Sequence, residues 1–198
     1  MKRSRVVSGI VLLLLCFVLV PAGKLSAQGT GVILHAEYGA DTNWVDVTER
    51  LGSMLRNNNA SFKIQSSTFG IDPAVGQKKS LRVVTREANG KIQHVEFMDN
   101  TSIFLRGYTF DSDSKGLRIL GAEYGAGKQV ADVTAQVDAL VKAGQLIIRA
   151  TDQSLGGDAA PNQNKVLTIW YTFNGVAGQA AVKENDSVGM PSGNGLGG

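Results

Sequence analysis

Apolar and polar positions recur with two different periods after residue 31, and each period predicts a type of element. Val47, Leu51 and Met54 lie three or four residues apart, which places their side chains on one stripe of a short helix. Residues 32–34 form a short apolar run of the kind found in strands. Residues 61–64 alternate between polar and apolar side chains, which also predicts a strand. The predicted order is therefore strand, short helix, strand.

Two Asn-Gly pairs predict tight hairpins farther along the chain. The pair at residues 89–90 separates the segments 81–84 and 92–97, and the pair at residues 174–175 follows the segment 166–173. Asn and Gly tolerate the positive φ angles that two-residue hairpin turns require. Since these segments alternate between apolar and polar residues, we expect antiparallel sheets.

The second half of the chain repeats the first at a constant offset of 86 residues, measured from Ala36 to Ala122. Ala-Glu-Tyr-Gly-Ala at 36–40 recurs at 122–126, and Asp-Val-Thr at 46–48 recurs at 132–134. Further pairs at this offset are Gly70 and Gly156, Asp72 and Asp158, Ala74 and Ala160, Gln77 and Gln163, Lys79 and Lys165, and Leu81 and Leu167. Such ungapped agreement predicts an internal duplication.

We therefore expect a mainly β fold of the α+β type, with two repeated antiparallel β-rich modules, sandwich-like, each with one short helix. The first module is assigned to residues 28–105 and the second to residues 117–190. Residues 106–116 end in a polar, Gly-containing stretch that is typical of a linker. The Gly-rich tail, 191–198, is expected to be disordered. Whether the modules form one pseudo-symmetric domain or two separate domains stays open.

Residues 1–27 have the pattern of a secretory signal peptide. A basic start precedes an apolar run from Val6 to Val20, and a candidate cleavage site follows at Ala27. The alternative is an uncleaved anchor helix, but the run is shorter than the roughly 20 apolar residues that a membrane span needs. We expect cleavage after Ala27 and a secreted or periplasmic mature chain that does not span the membrane.

Removal of this leader changes the charge of the chain. The precursor has a net charge of +3, from 20 basic and 17 acidic residues. Four of the basic residues and none of the acidic ones lie in 1–27, so the mature charge is −1. A near-neutral chain has no electrostatic reason to bind nucleic acid. Cys16 is the only cysteine, so the mature chain contains neither a disulfide nor a thiolate metal site.

The polar residues that recur near predicted turns form the candidate contact surface. They are Glu37, Tyr38, Asp72, Lys79, Glu123, Tyr124, Asp158 and Lys165. Loops on a rigid sheet often carry function, which favours the two Gly-x-Asp loops as contact sites. Each residue type also has a structural role: Tyr buries its ring and bonds through its hydroxyl, and Asp closes an Asx-turn. The lysines can pair with the aspartates or bind an anion, and an exposed pair of this kind contributes little to stability.

Motifs for catalysis are scarce. The sequence has no Gly-x-Ser-x-Gly elbow, no His-Glu-x-x-His and no phosphate-binding Gly loop. His35 aligns with Gly121, which argues against a duplicated acid–base or metal site. We expect a non-catalytic binding or structural protein without metal or cofactor, whose partner is an unknown protein or glycan of the cell envelope. The alternative is a polysaccharide-active hydrolase using Glu37 or Asp72, or a carbohydrate-binding accessory protein.

The order of these motifs resembles a known domain. Tyr-Gly, Asp-Val-Thr, a short helix, Gly-x-Asp-Pro-Ala-x-Gly and Lys-x-Leu-x-Val together look like the C-terminal domain of the DnaJ-like protein subfamily C member 11 family. The resemblance covers 36–83 and 122–171, which indicates two tandem copies, and it departs from the pattern at Ala159 and Asn162. The His-Pro-Asp of a J domain is absent from the sequence. The resemblance implies a fold and assigns no reaction.

Overall fold

The chain forms a mainly β structure in the computed structural model, which describes residues 18–19 and 26–191. The strands are β1 (Val18–Leu19), β2 (Ser26–Ala40), β3 (Asn43–Asp46), β4 (Asn59–Lys63), β5 (Ser80–Glu87), β6 (Ile92–Met98), β7 (Ser102–Thr109), β8 (Leu117–Ala126), β9 (Gln129–Asp132), β10 (Leu146–Arg149), β11 (Val166–Phe173), β12 (Val176–Lys183) and β13 (Ser187–Met190). The helices are α1 (Thr48–Met54), α2 (Ser66–Phe69) and α3 (Thr134–Ala139). The mainly β fold class is confirmed, and α2 is a single turn beyond the one helix expected in the first half.

The strands of the two halves form similar but unequal sheets. In the first half the order is β1-β6-β5-β2-β7-β4, with β3 also paired to β2. In the second half β12-β11-β8-β9 form one sheet and β10-β13 a separate pair. The difference arises because β2 is long: its residues 31–39 pair with β5, and residues 26–32 pair in parallel with β7. β8 begins only at Leu117, after a polar stretch, so β13 lacks the corresponding partner among the described residues.

Both predicted hairpins are present. β5 and β6 are antiparallel neighbours, as are β11 and β12. Asn174 and Gly175 have φ angles of 52° and 80°, which is the pair of positive values that a type I′ turn requires. In the other hairpin only Gly90 is left-handed, with φ 84°, and its N–H donates to the Glu87 carbonyl at 2.8 Å.

The repeated Glu-Tyr-Gly motif lies where β2 and β8 turn into their short partner strands. A Cβ on Gly39 would collide with the carbonyl oxygen of Asn43, and one on Gly125 would collide with that of Gln129. Glycine is therefore required at both positions because two backbones approach closely there.

Three groups of apolar side chains are buried. One lies within each half, between its sheet and its helix. The third lies between the halves and contains Leu34, Val84 and Ile92 from the first half and Trp170 from the second. Trp170 is 1 % exposed, and a Cβ on Gly121 would lie 2.7 Å from Leu34 Cδ1. The two halves therefore pack directly against one another.

Two predicted boundaries fall within β-strands. Residues 106–109, assigned above to the linker, belong to β7, because Arg106 pairs with Asn59 of β4 and Thr109 pairs with Val32 of β2. The predicted cleavage site after Ala27 lies within β2. Most of the predicted leader (1–17 and 20–25) and residues 192–198 of the predicted tail lie outside the described residues. No helix in the described part of the chain is long and apolar enough to cross a membrane.

Candidate functional site

The two motif tyrosines are structural residues with matching environments. The Tyr38 hydroxyl donates to Asp99 Oδ1 at 2.9 Å, and the Tyr124 hydroxyl donates to Asp152 Oδ1 at 3.0 Å. Both tyrosines are 0 % exposed. Burial raises the pKa of Tyr38 to about 12, and burial together with the Asp152 carboxylate raises the pKa of Tyr124 as well. Neither phenol is therefore a base at neutral pH, and neither lies on a contact surface.

Lys79 holds the first Gly-x-Asp loop from inside. Its Nζ lies 3.0 Å from Asp72 Oδ1 and donates to the carbonyl oxygens of Ala74 and Gln77 at 3.2 and 3.0 Å. The Lys79 side chain is only 6 % exposed. The expectation of an exposed lysine is therefore wrong, because the loop folds back over the ammonium group and supplies it with acceptors.

Lys165 has the corresponding position in the second half but different partners. Its Nζ lies 3.0 Å from Asp158 Oδ1, 3.0 Å from Glu184 Oε1 and 3.5 Å from Asp152 Oδ1. Burial on its own would lower the Lys165 pKa, but the hydrogen bonds to Glu184 and Asp158 outweigh it and raise that pKa. Lys165 is thus a buried cation that ties the second loop to β12 and its following turn.

The aspartates of the two loops close turns, as the structural alternative predicted. Asp72 Oδ1 accepts a hydrogen bond from the Ala74 N–H at 3.2 Å, and Asp158 Oδ1 accepts one from the Ala160 N–H at 3.1 Å. The side-chain hydrogen bond from Lys79 lowers the pKa of Asp72. Both carboxylates are held in Asx-turns and ion pairs.

Thr48 and His35 have the geometry of a nucleophile beside a base, but the second half argues against that role. His35 Nδ1 lies 3.3 Å from Thr48 Oγ1, and burial lowers the His35 pKa. Thr48 Oγ1 accepts a hydrogen bond from the Ala36 N–H at 2.9 Å, and Thr48 is 1 % exposed. Thr134 Oγ1 makes the same backbone contact at 2.9 Å next to Gly121, without any imidazole. The threonine therefore joins the helix start to the strand.

The outer face of each sheet carries a row of cross-strand neighbours, and the two rows differ at informative positions. In the first half the row is Asp46, Glu37, Arg82 and Glu96. By strand register, the corresponding row of the second half is Asp132, Glu123, Thr168 and Ala181. The acids on β3 and β2 recur on β9 and β8, whereas the residues on the next two strands do not.

In the first half, Arg82 is the centre of a cluster of side chains. Its guanidinium carbon lies 3.7 Å from the ring centroid of Trp44, its Nη1 lies 3.3 Å from Glu37 Oε1, and its Nε lies 3.6 Å from Glu96 Oε1. The Trp44 Nε1–H donates to the Asp41 carbonyl at 2.7 Å, which fixes the orientation of the ring. We call Trp44, Arg82, Glu37, Glu96 and Asp46 the Trp44 face.

In the second half, the matching acids connect the two halves. Glu123 Oε2 lies 2.8 Å from His94 Nε2, and Asp132 Oδ2 lies 3.3 Å from Arg86 Nη2. Arg86 Nη1 also donates to Thr134 Oγ1 at 2.6 Å. The equivalent acids of the Trp44 face contact groups within their own half.

The structure moves most of the predicted contact residues away from the surface. Tyr38, Lys79, Glu123, Tyr124 and Lys165 are buried. The remaining three, Glu37, Asp72 and Asp158, have side chains that are 27 %, 38 % and 41 % exposed.

The two carboxylates of the hydrolase alternative do not face one another. Tyr38 follows Glu37 in β2, so their side chains leave opposite faces of the sheet. The charge of the Asp72 carboxylate helps to raise the pKa of Tyr38, so this carboxylate lies on the face of the sheet from which Tyr38 projects. Among the described residues, no three His, Cys, Asp or Glu side chains form a group that could hold a metal ion.

Sequence reasoning missed Trp44 and Arg82 because it followed the residues that recur. Their counterparts at the same offset are Val130 and Thr168. The signal that finds them is divergence between the halves: a residue needed by the fold recurs, whereas one that serves a single site does not.

Comparisons with known proteins indicate a family and one distant relative. The family described as DnaJ-like protein C11, C-terminal, matches residues 86–191. A protein described as a putative β-glucuronidase from Formosa agariphila is 25% identical over 156 residues, which cover 72% of this chain. The matched segment is 13% of that relative's length. No solved structure matches the chain.

Proposed function

This chain belongs to the DnaJ-like protein C11, C-terminal family, and we propose that it is an exported, non-catalytic protein that binds a protein or glycan of the cell envelope. We infer that its two halves are tandem copies of one module. The observation that carries the proposal is that the polar residues recurring between the halves are engaged in internal contacts, as Tyr38 and Tyr124 are.

The internal contacts leave few groups for chemistry. A glycoside hydrolase needs two carboxylates that flank the scissile bond, whereas Glu37 and the loop residue Asp72 lie on opposite faces of the sheet that contains β2. The two buried lysines are neutralised by carboxylates, and the motif tyrosines have raised pKa values. A binding role requires only a presented surface, and the Trp44 face supplies one.

Export is proposed from the leader pattern of residues 1–27. Expression of the full chain in a bacterium, followed by fractionation and N-terminal sequencing, tests it. We expect the protein in the periplasm or the medium, with Gln28 as its first residue. A cytoplasmic protein that retains the apolar run would refute export without bearing on binding.

Binding is tested by retention of a partner. The chain starting at Gln28 is immobilised and exposed to an envelope extract and to a glycan array, with heat-unfolded protein as the control. We expect retention of a protein or glycan by the folded chain only. The same chain is incubated with polysaccharides and chromogenic glycosides, and turnover above that of the unfolded control would refute the non-catalytic proposal.

A carbohydrate-binding accessory role is the second candidate. It is favoured by the relative described as a putative β-glucuronidase, in which the similar segment is 13% of the length. So small a segment suits an appended module better than a whole enzyme. Specific retention of glycans, and not proteins, would select this candidate.

A further inference from the structure

Two acidic residues occupy equivalent positions on the outer face of each half, and they have different contacts in the two halves. In the second half, Glu123 and Asp132 contact His94 and Arg86 of the first half; Glu123 is buried, and the Asp132 side chain is 36 % exposed. In the first half, the corresponding Glu37 and Asp46 are 27 % and 54 % exposed at their side chains. The acids of the second row are therefore engaged by side chains of the other half, whereas those of the first row are not.

The row of the first half contains side chains that the row of the second half lacks. Arg82 stacks on Trp44 in the first half. In the second half, Thr168 occupies the position that corresponds to Arg82, and Val130 occupies the position that corresponds to Trp44. Glu96, which faces Arg82, is replaced by Ala181. Because the second half folds without these three residues, the fold itself does not require them.

The Trp44 face is ordered before any ligand arrives. A hydrogen bond to Asp41 and the Arg82 guanidinium fix the Trp44 ring, and two carboxylates fix Arg82. Side chains that are already immobilised lose little conformational entropy on binding, which favours affinity.

The chemistry of the face selects a class of ligand. Glu37 and Asp46 offer partly exposed acceptors, Arg82 offers donors with its side chain 28 % exposed, and Trp44 is a half-buried ring. Three carboxylates against one guanidinium oppose an anionic ligand. Glu37 and Glu96 are already paired with Arg82, which leaves less unpaired negative charge for a basic peptide.

We propose that the Trp44 face binds a neutral, hydroxyl-rich oligosaccharide, whose hydroxyls bond to Glu37, Asp46 and Arg82 and whose ring C–H groups contact Trp44. This inference rests on the proposed binding function and adds its site and ligand class.

The test uses the chain from Gln28, an array of neutral oligosaccharides, and calorimetry with the best binder. Trp44→Ala removes the ring, and Val130→Ala is the matched control at the equivalent position of the second half. We expect binding about tenfold weaker for Trp44→Ala and unchanged for Val130→Ala. Glu37→Gln, which keeps the side-chain shape, is a second variant that should also weaken binding, with folding of each variant checked by circular dichroism.

The two tryptophans give an independent readout. With 5-fluorotryptophan incorporated, the fluorine resonance of Trp44 should shift as oligosaccharide is added, whereas that of the buried Trp170 should not. A glycan that binds Trp44→Ala and Glu37→Gln as tightly as the wild type would refute the site and leave the binding function standing. Retention of only a protein, or of a Lys-rich peptide in a salt-sensitive manner, would refute the ligand class. Absence of any retained partner would refute the binding function itself.

Discussion

The hydrogen bond from each buried motif tyrosine to a carboxylate should make a measurable contribution to stability. Replacement by Phe removes only the hydroxyl, so the packing of a ring that is 0 % exposed is preserved. The lost hydrogen bonds are those from Tyr38 to Asp99 at 2.9 Å and from Tyr124 to Asp152 at 3.0 Å, and Tyr38 also loses a longer contact with Ser66 Oγ at 3.4 Å. A hydrogen bond to a charged group contributes about 1.5–3 kcal/mol. We therefore expect Tyr38→Phe and Tyr124→Phe each to lower the free energy of unfolding by roughly 2 kcal/mol.

Urea denaturation measured by circular dichroism gives these free energies, provided that the slope with denaturant is unchanged. Tyr171→Phe is the matched control, because Tyr171 is 5 % exposed and burial alone raises its pKa. Its replacement should cost clearly less than the other two. Equal losses in all three variants, or no loss in Tyr38→Phe and Tyr124→Phe, would refute the view that the repeated Tyr–carboxylate contacts stabilise the two halves.

Three further predictions concern titration and packing. The four tyrosines should show little phenolate absorbance near pH 10, because the pKa of Tyr38 is raised to about 12 and the pKa values of the other three are raised too. The protonated tyrosines therefore contribute to stability below pH 10, and this contribution is lost as the pH rises through their raised pKa values. Burial lowers the His35 pKa, so the folded state binds protons less readily than the unfolded state, and the free energy of unfolding should fall as the pH drops below 6.5. Urea titrations at several pH values should find this decrease in the wild type and not in His35→Gln. Gly121→Ala should cost about 1–3 kcal/mol in urea titrations by crowding Leu34, whereas Gly189→Ala, whose Cβ meets nothing within 4 Å, should be near neutral.

Local patterns predicted the fold class and the hairpins because they depend on neighbours in sequence. The Asn174-Gly175 turn needs only two residues with positive φ. The packing of the halves depends on a shift of register between Ile33 and His35, where β2 bulges against β5. This shift lets Leu34 join the group between the halves while Ile33 stays in the core of the first half. No periodicity in the sequence indicates where such a bulge falls.

The candidate site was less predictable because burial of a polar group depends on distant partners. Lys79 has the sequence context of an exposed lysine, yet the carbonyls of Ala74 and Gln77 fold over it. Lys165 likewise meets Glu184, which lies in a turn 19 residues later. The sequence therefore predicted that both lysines form ion pairs, but it did not predict their burial, which depends on the tertiary structure.

The asymmetry between the halves has a consequence for stoichiometry. Tandem modules often bind with avidity, but that requires two accessible sites. Here the acids of the second half are committed to His94 and Arg86, and Val130 stands where the first half has Trp44. One site per chain is therefore expected, and calorimetry with the bound oligosaccharide should give one ligand per chain. A stoichiometry of two, with one site lost in Trp44→Ala, would mean that the contact between the halves opens and that the second row binds as well.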